Sequence, residues 1–374
     1  MTKVVANAKK ALFLSVTTGY GHHSCGKAII ECLEQKGVEC KMIDILDESS
    51  HFLKETINYG FLASSKYLSP VYDAAYRFGE LKSTSTPKIS ITRAVTSLIA
   101  VNIKKIIKEW EPDVIVCTHV YSAQVLAELS KITKGILKIG IITDFTIHPY
   151  WENTNLDHYV TAHPNLTYQF EKKGMNKKKL LPIGIPISNK FAEMYDRKEA
   201  RRKLKIPNKK TILVMSGSMG HGNVVRNIKK LVAMEEDFQI INVCGKNKRL
   251  FNNVEKIKSD KKIFNYGWTD QINLLMSASD CIITKPGGLT TSEALAKNLM
   301  IIIGSNFPGQ EERNIEFLLN NGLAMQITKT FTLQEVIYSY FGGSERLDTF
   351  SDLCQGYGKP NSSQELSDFI LKRI

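Results

Sequence analysis

The sequence predicts an α/β protein built from two doubly wound, Rossmann-like domains. Short apolar runs alternate with amphipathic segments along almost the whole chain, as strands and helices do in parallel sheets with helices on both faces. The alternation runs twice, and 374 residues are too many for one comfortable core. We expect the two domains to face a central cleft at the carboxyl ends of their strands, where ligands bind in folds of this type.

Ten apolar runs are predicted to be strands. The first domain supplies Ala11–Val16, Cys40–Ile45, Val114–Thr118, Lys138–Thr143 and His158–Ala162. The second domain supplies Thr211–Met215, Gln239–Cys244, Lys262–Tyr266, Cys281–Thr284 and Met300–Ile303. Helical patterns fill most of the gaps, for example Ser24–Gln35, Ser122–Lys131 and Leu289–Lys297.

A break rich in Pro, Gly and charge lies between Leu181 and Lys209. We therefore expect one domain over residues 1–185 and a second over residues 186–360. A C-terminal helix at about 361–374 could pack back on the first domain.

The composition is that of a soluble globular protein, with 43% hydrophobic and 23% charged residues. No run approaches the roughly 20 apolar residues of a spanning helix. Lys9 and Lys10 before Ala11–Val16 imitate a secretion signal, but the run is too short and lacks a cleavage site. Seven cysteines without a Cys-x-x-Cys pair indicate reduced thiols, so the expected location is the cytoplasm.

The net charge of +13 predicts an anionic partner. Between Lys54 and Lys108 there are nine Lys or Arg against three Asp or Glu, mixed with six Tyr or Phe from Tyr59 to Phe78. This pattern favours an anionic membrane surface, and no nucleic-acid partner is expected because no nucleic-acid-binding motif is present. The alternative is a core helix with a solvated lysine face.

The first motif, Thr17 to Lys27, follows a predicted strand and contains Gly-Tyr-Gly-His. Gly19 and Gly21 permit a tight turn, and His22 falls at or just before a helix start. The positive end of the helix dipole there disfavours imidazolium, and a neutral imidazole suits a general base. The alternative is a histidine that only caps the helix.

Two further glycine-rich loops suit an anion. Met215 to Gly222 contains Gly217, Ser218 and Gly220, and it lacks the Walker lysine spacing. Lys285 to Glu293 is more informative, since Pro286 stops a strand and the backbone amides of Gly287, Gly288, Leu289 and Thr290 then open a helix towards a diphosphate. Glu293, one turn on, can accept hydrogen bonds from two ribose hydroxyls. Either loop could instead be a plain turn with nothing bound.

The fourth motif begins at Pro308 and offers Gln310 and Glu311. An amide beside a carboxylate can form hydrogen bonds with the hydroxyls of a sugar. By themselves these residues could merely open a helix.

Taken together, these motifs resemble the monogalactosyldiacylglycerol synthase and processive diacylglycerol glucosyltransferase family, of GT-B fold and related to the transferase that forms lipid II. The resemblance covers most of the chain. It implies an inverting transfer of glucose or galactose from a UDP-sugar to diacylglycerol, at the inner face of the cell membrane with the enzyme peripherally associated. The first domain would then bind acceptor and membrane, and the second the UDP-sugar.

The resemblance also implies roles for single residues. His22 would be the catalytic base, with Asp144 and His148 orienting His22 or the acceptor and with Gly21, His119 and Tyr121 on the acceptor side. The alternative for Asp144 is a cap of the segment that follows it. Lys285 to Glu293 would hold the diphosphate and ribose, and Gln310 and Glu311 the sugar. The segment of Cys244, Gly245, Lys246 and Asn247 resembles the family's Cys-Gly-Arg-Asn segment, although Lys246 replaces the commoner Arg and offers a point charge in place of a bidentate contact. Tyr20 and His23 also depart from the family's usual residues.

No Asp-x-Asp pair is present to hold a metal on the diphosphate. We therefore expect no metal and no cofactor, with protein groups alone stabilising the leaving UDP. Three other functions stay open: transfer of N-acetylglucosamine from its UDP donor to a polyprenyl lipid, epimerisation of a UDP-sugar, and non-catalytic UDP-sugar sensing.

Overall fold

The structure is a computed structural model that describes residues 8–17, 20–47, 88–215, 217, 223–304, 310–342 and 344–374. These residues form two compact units. The first comprises residues up to Ser188 together with Asn361–Ile374, and the second comprises Asn189–Pro360.

The first unit contains a parallel sheet of six strands in the order β2-β1-β3-β4-β5-β6. Its strands are β1 (Lys10–Ser15), β2 (Glu39–Asp44), β3 (Val114–Cys117), β4 (Leu137–Ile141), β5 (His158–Val160) and β6 (Leu180–Leu181). Its helices are α1 (Tyr20–Glu34), α2 (Lys88–Trp110), α3 (Val120–Glu128), α4 (Thr167–Lys172) and, from the end of the chain, α13 (Ser362–Leu371).

The second unit repeats the plan, with a six-stranded parallel sheet in the order β12-β11-β10-β7-β8-β9. Its strands are β7 (Thr211–Met215), β8 (Gln239–Val243), β9 (Ile263–Tyr266), β10 (Cys281–Thr284), β11 (Met300–Ile303) and β12 (Ala324–Gln326). Its helices are α5 (Arg197–Lys203), α6 (Val224–Val232), α7 (Lys248–Glu255), α8 (Ile272–Ser277), α9 (Gly288–Ala296), α10 (Gln310–Asn320), α11 (Leu333–Phe341) and α12 (Ser344–Tyr357).

All ten predicted strands are present, and the predicted α/β class is confirmed. The central strands are buried along their whole length, as in β3, β7, β10 and β11, which is why they read as continuous apolar runs. The prediction missed β6 and β12, which have two and three residues and lie at sheet edges. Strands this short carry no readable periodicity.

The C-terminal helix α13 packs on α1 within the first unit. Leu366 and Ile370 on its inner face have no exposed surface. At its start, the Ser362 hydroxyl donates to the Ile185 carbonyl at 3.0 Å, and the Ser363 hydroxyl donates to the Ile187 carbonyl at 2.6 Å. Buried hydroxyls thus tie the helix to the last residues of the first unit.

Most of the basic and aromatic region predicted between Lys54 and Lys108 lies outside the described residues. Its described end belongs to α2, where Lys104, Lys105 and Lys108 are exposed while Ile103 and Ile107 are buried. This part fits the alternative of a core helix with a solvated lysine face. Among the helices described, none is long and apolar enough to cross a bilayer.

Replacing Leu366 with Ala should lower the free energy of unfolding of the first unit by about 2–5 kcal/mol, because the substitution leaves a cavity between α13 and α1. Chemical denaturation followed by circular dichroism measures the change. Val101→Ala is the control, since Val101 is 65% exposed on α2, and it should change stability by less than about 0.5 kcal/mol. Equal effects of the two substitutions would show that α13 does not stabilise this unit.

Candidate active site

The candidate residues of the first unit meet at the carboxyl ends of three neighbouring strands. His22 lies in the first turn of α1, which follows β1, so the helix begins slightly earlier than predicted. Thr118 and His119 follow β3, and Thr143 follows β4. Because β1, β3 and β4 are adjacent and parallel, these residues converge at one edge of the sheet.

The imidazole of His22 is held at one of its two ring nitrogens. Its Nδ1 lies 2.9 Å from the carbonyl oxygen of Thr118 and 3.1 Å from the hydroxyl oxygen of Thr143. A carbonyl can only accept, so this contact assigns the proton to Nδ1. Nε2 then carries the lone pair, which is the form of histidine that removes a proton from a hydroxyl.

The ring of His119 stands edge-on against His22, with ring centroids 4.6 Å apart and planes at 80°. Its Nδ1 accepts a hydrogen bond from the backbone N–H of Tyr121 and caps α3. The proton of His119 is therefore on Nε2, so the two neighbouring imidazoles adopt opposite tautomers. Tyr121 packs on His119 at 5.0 Å and on Tyr150 at 6.5 Å between ring centroids.

Both imidazoles are kept neutral. Burial lowers the pKa of His22 to about 4, although the hydrogen bond with the Thr118 backbone opposes the shift. The pKa of His119 lies well below its usual value because of burial, with further contributions from His22 and His148. The neutral imidazole expected from the helix dipole is therefore found at His22, but burial is the main cause.

For Asp144 and His148, the described contacts do not include a hydrogen bond to the His22 ring. His148 caps a short 3-10 turn, Pro149–Trp151, by accepting from the Tyr150 N–H at 3.2 Å, and its ring packs against Tyr150 at 4.8 Å. Asp144 directly follows Thr143 and is partly buried. Their roles, like that of Gly21 in the first turn of α1, stay predictions.

In the second unit the diphosphate motif opens α9 as predicted, with Gly287 at the N-cap. The Gly287 N–H donates to the Lys285 carbonyl at 2.9 Å, so it is already engaged, in contrast to the expectation. Thr291 makes the first intrahelical bond, to the Gly287 carbonyl. The amides of Gly288, Leu289 and Thr290 are thus the ones that the helix leaves for an anion.

Lys285 joins three of the predicted donor motifs. Its ammonium pairs with Glu311 Oε1 at 2.5 Å, and a Cβ added at Gly217 would lie 3.3 Å from its Cε. Gly217 adopts a φ of +67°, which a side chain would strain. The other carboxylate oxygen of Glu311 is buried and has no hydrogen-bond partner among the described residues, and such an atom is costly unless a donor is supplied to it.

Other donor residues lie on the same edge of this sheet. Glu293 is on α9, and burial raises the pKa of its carboxyl to about 8. Gln310 opens α10 beside Glu311. Gly245, with φ of +58°, follows β8, Lys246 lies 5.1 Å from the centroid of the Trp268 ring, and Asn247 caps α7. Ser218 and Gly220 lie outside the described residues.

Sequence reasoning missed three contacts at these sites: Thr143 on His22, Trp268 under Lys246, and Asn314. The Asn314 amide, fully buried on α10, donates to the Pro286 carbonyl at 2.9 Å and ties the sugar motif to the diphosphate turn. Each contact joins segments far apart in the chain. Only the presence of Thr143 directly before Asp144 gave a sequence signal.

Both halves of the chain match models of known protein families. Residues 22–187 match the family model of monogalactosyldiacylglycerol (MGDG) synthase, and residues 211–352 match the glycosyltransferase family 28 C-terminal domain. A processive diacylglycerol β-glucosyltransferase of Bacillus licheniformis is 27% identical over 373 residues, which are 98% of this chain and 95% of the relative.

Solved structures share the fold over the whole chain. MurG of Acinetobacter baumannii aligns with a TM-score of 0.61 at 14% identity, covering 97% of this chain and 99% of MurG. A UDP-GlcNAc 2-epimerase from Neisseria meningitidis aligns with a TM-score of 0.58 at 14% identity, covering 97% and 100%. At such identities the likeness shows the fold alone.

The two doubly wound domains and the two family models define a glycosyltransferase of GT-B fold. Within that class, residues 22–187, which include His22, match the monogalactosyldiacylglycerol synthase model, and residues 211–352, which include Lys285, match the glycosyltransferase family 28 C-terminal domain. The resemblance, the fold and the enzyme class inferred from the sequence are thereby confirmed.

We expect the His22 ring of the free protein to stay neutral through pH 5.5, because its pKa is about 4 while an exposed histidine titrates near 6.5. The unfolded chain takes up this proton near pH 6.5, so the stability that depends on the neutral ring is lost as pH falls from about 6.5 towards 4. NMR of the ring Cε1–H, assigned by its absence in His22→Gln, measures the titration. A midpoint near 6.5 would contradict the burial argument.

Proposed function

We propose that this glycosyltransferase moves a hexose from a UDP-sugar to the free hydroxyl of diacylglycerol, with inversion at the anomeric carbon. The observation that carries the proposal is the His22 imidazole, held through Nδ1 so that Nε2 is the basic nitrogen. A non-catalytic UDP-sugar sensor needs no such base. The names of the full-length relatives support diacylglycerol as acceptor.

His22 acts as the general base in this mechanism. Nε2 removes the hydroxyl proton of the lipid while its oxygen attacks the anomeric carbon from the face opposite UDP. The bond between that carbon and the diphosphate oxygen breaks, and UDP departs with the electron pair. Proton transfer of this kind contributes about 10²–10⁴-fold to the rate.

In this mechanism the amides of Gly288, Leu289 and Thr290 at the start of α9 stabilise the leaving diphosphate, and Lys285 and Lys246 supply positive charge. Fixed dipoles aimed at developing charge are usually the largest single contribution to catalysis. We propose that these groups act without a metal ion or cofactor. The sequence has no Asp-x-Asp pair, and the described residues contain no cluster of three metal-binding side chains.

The donor sugar is assigned to Gln310 and Glu311, and the uridine ribose to Glu293. The buried oxygen of Glu311, which has no partner within the part of the chain that the structure describes, supports a hydroxyl donor at this position. Glucose is favoured over galactose, because the relatives are named β-glucosyltransferases and inversion of an α-linked UDP-glucose gives a β-linked product. The proposed site of action is the inner face of the cell membrane, because a protein with a net charge of +13 would be attracted to anionic lipid there.

Product analysis tests this function. Liposomes containing diacylglycerol are offered UDP-glucose, UDP-galactose or UDP-N-acetylglucosamine in turn, and lipids are separated by thin-layer chromatography. We expect a β-glucosyldiacylglycerol from UDP-glucose. Sugar transfer only to a polyprenyl phosphate, or conversion of the UDP-sugar without a glycolipid, would assign the chain to a different reaction on the same fold.

Replacing His22 with Ala should reduce turnover by at least about 100-fold, since no other group takes the hydroxyl proton. The dissociation constant of UDP, measured by calorimetry, should stay within about twofold of the wild-type value because the donor groups lie in the second unit. Retained transfer by His22→Ala would remove the base from the mechanism. Loss of UDP binding would show that His22 serves the donor instead.

A further inference from the structure

Thr143 contacts the ring nitrogen of His22 that does not take up the proton in the reaction. Its hydroxyl oxygen lies 3.1 Å from Nδ1, beside the Thr118 carbonyl at 2.9 Å. Since the carbonyl has no proton to give, Nδ1 is the donor, and the Thr143 oxygen is a second acceptor for the same N–H. One donor is therefore shared by two oxygens.

The two oxygens come from neighbouring strands, and the carbonyl is rigidly fixed. The Thr118 N–H donates to the Leu14 carbonyl at 3.1 Å, and its buried hydroxyl donates to Ser15 at 3.1 Å. A single hydrogen bond to this carbonyl would still allow the His22 ring to rotate about that bond. The second oxygen, which follows β4, restricts that swing.

We propose that Thr143 is a positioning residue for glycosyl transfer, which holds the His22 ring in the plane and tautomer that present the Nε2 lone pair to the acceptor hydroxyl. The inference rests on the proposed role of His22 as base. When Nε2 takes the proton, the Nδ1–H becomes the donor of a cationic ring, and hydrogen bonds from a charged donor are roughly twice as strong as neutral ones. Thr143 thus favours the protonated ring formed during transfer.

Neutral oxygens perform here the orienting task that a carboxylate performs in a Ser-His-Asp triad. They fix the tautomer without placing a full negative charge beside the imidazole. The ring therefore stays unprotonated in the free protein, in keeping with its low pKa. The ring is therefore unprotonated at pH values well above 4.

The test compares Thr143→Val, which removes the hydroxyl and keeps the branched shape, with Thr143→Ser, which keeps the hydroxyl. We expect the Val variant to lose about tenfold in kcat, with the KM for UDP-sugar and the UDP dissociation constant unchanged within about twofold. The Ser variant should retain at least about half of the wild-type kcat. In NMR spectra of ¹⁵N-histidine-labelled protein, the Nδ1–H signal of His22 should broaden in the Val variant and persist in the Ser variant.

Thr133→Val is the matched control, because the hydroxyl of this buried threonine of the same unit donates to the nearby Leu129 carbonyl at 3.1 Å and makes no contact with His22 among the described hydrogen bonds. It should leave kcat unchanged. Thr143→Ala serves as a second hydroxyl-free variant if the melting temperature of Thr143→Val falls.

A wild-type kcat in Thr143→Val, or equal losses in the Ser and Val variants, would overturn the inference. These outcomes are separate from failure of the proposed function. If His22→Ala is inactive while Thr143→Val is fully active, His22 remains the base and only the role of Thr143 is wrong. If His22→Ala stays active, the base assignment itself fails.

Discussion

The parallel pairing of β1 with β3 is the constraint on which the arrangement around His22 in the first unit depends. Leu14 pairs with Cys117 in this register, so the residues that follow the two strands leave the sheet side by side. The Thr118 carbonyl then reaches the ring of His22, although the two residues are 96 positions apart. A shift of register would separate the base from the carbonyl that fixes its tautomer.

In the second unit, too, the predicted anion-binding residues follow adjacent parallel strands. The neighbouring strands β7, β10 and β11 end at the Gly217 loop, the Lys285 turn and the segment before Gln310. Lys285 is the side chain that links them, through Glu311 and its packing against Gly217. Charge neutralisation between Lys285 and Glu311 explains how both can sit partly buried beside amides that would hold a diphosphate.

The sites differ in how they control charge. Around His22, burial and neutral oxygens keep an imidazole uncharged, which a base requires. Around α9, helix amides and lysines favour negative charge, which a leaving diphosphate requires. The first unit thus suits an acceptor hydroxyl that loses its proton, and the second unit suits a diphosphate that leaves with the electron pair.

The sequence alone determined the fold class, ten of the twelve strands that the structure describes and the motifs at the strand ends, because burial on both faces makes central strands uniformly apolar and because glycine and proline mark the turns. It also placed His22, Lys285 and Glu293 near the helix starts, since these residues lie in local motifs. Only the tertiary structure decided that burial more than the helix dipole keeps His22 neutral, and that Thr143 and Asn314 support the two sites. These depend on contacts between distant segments and on desolvation, which a linear pattern does not encode.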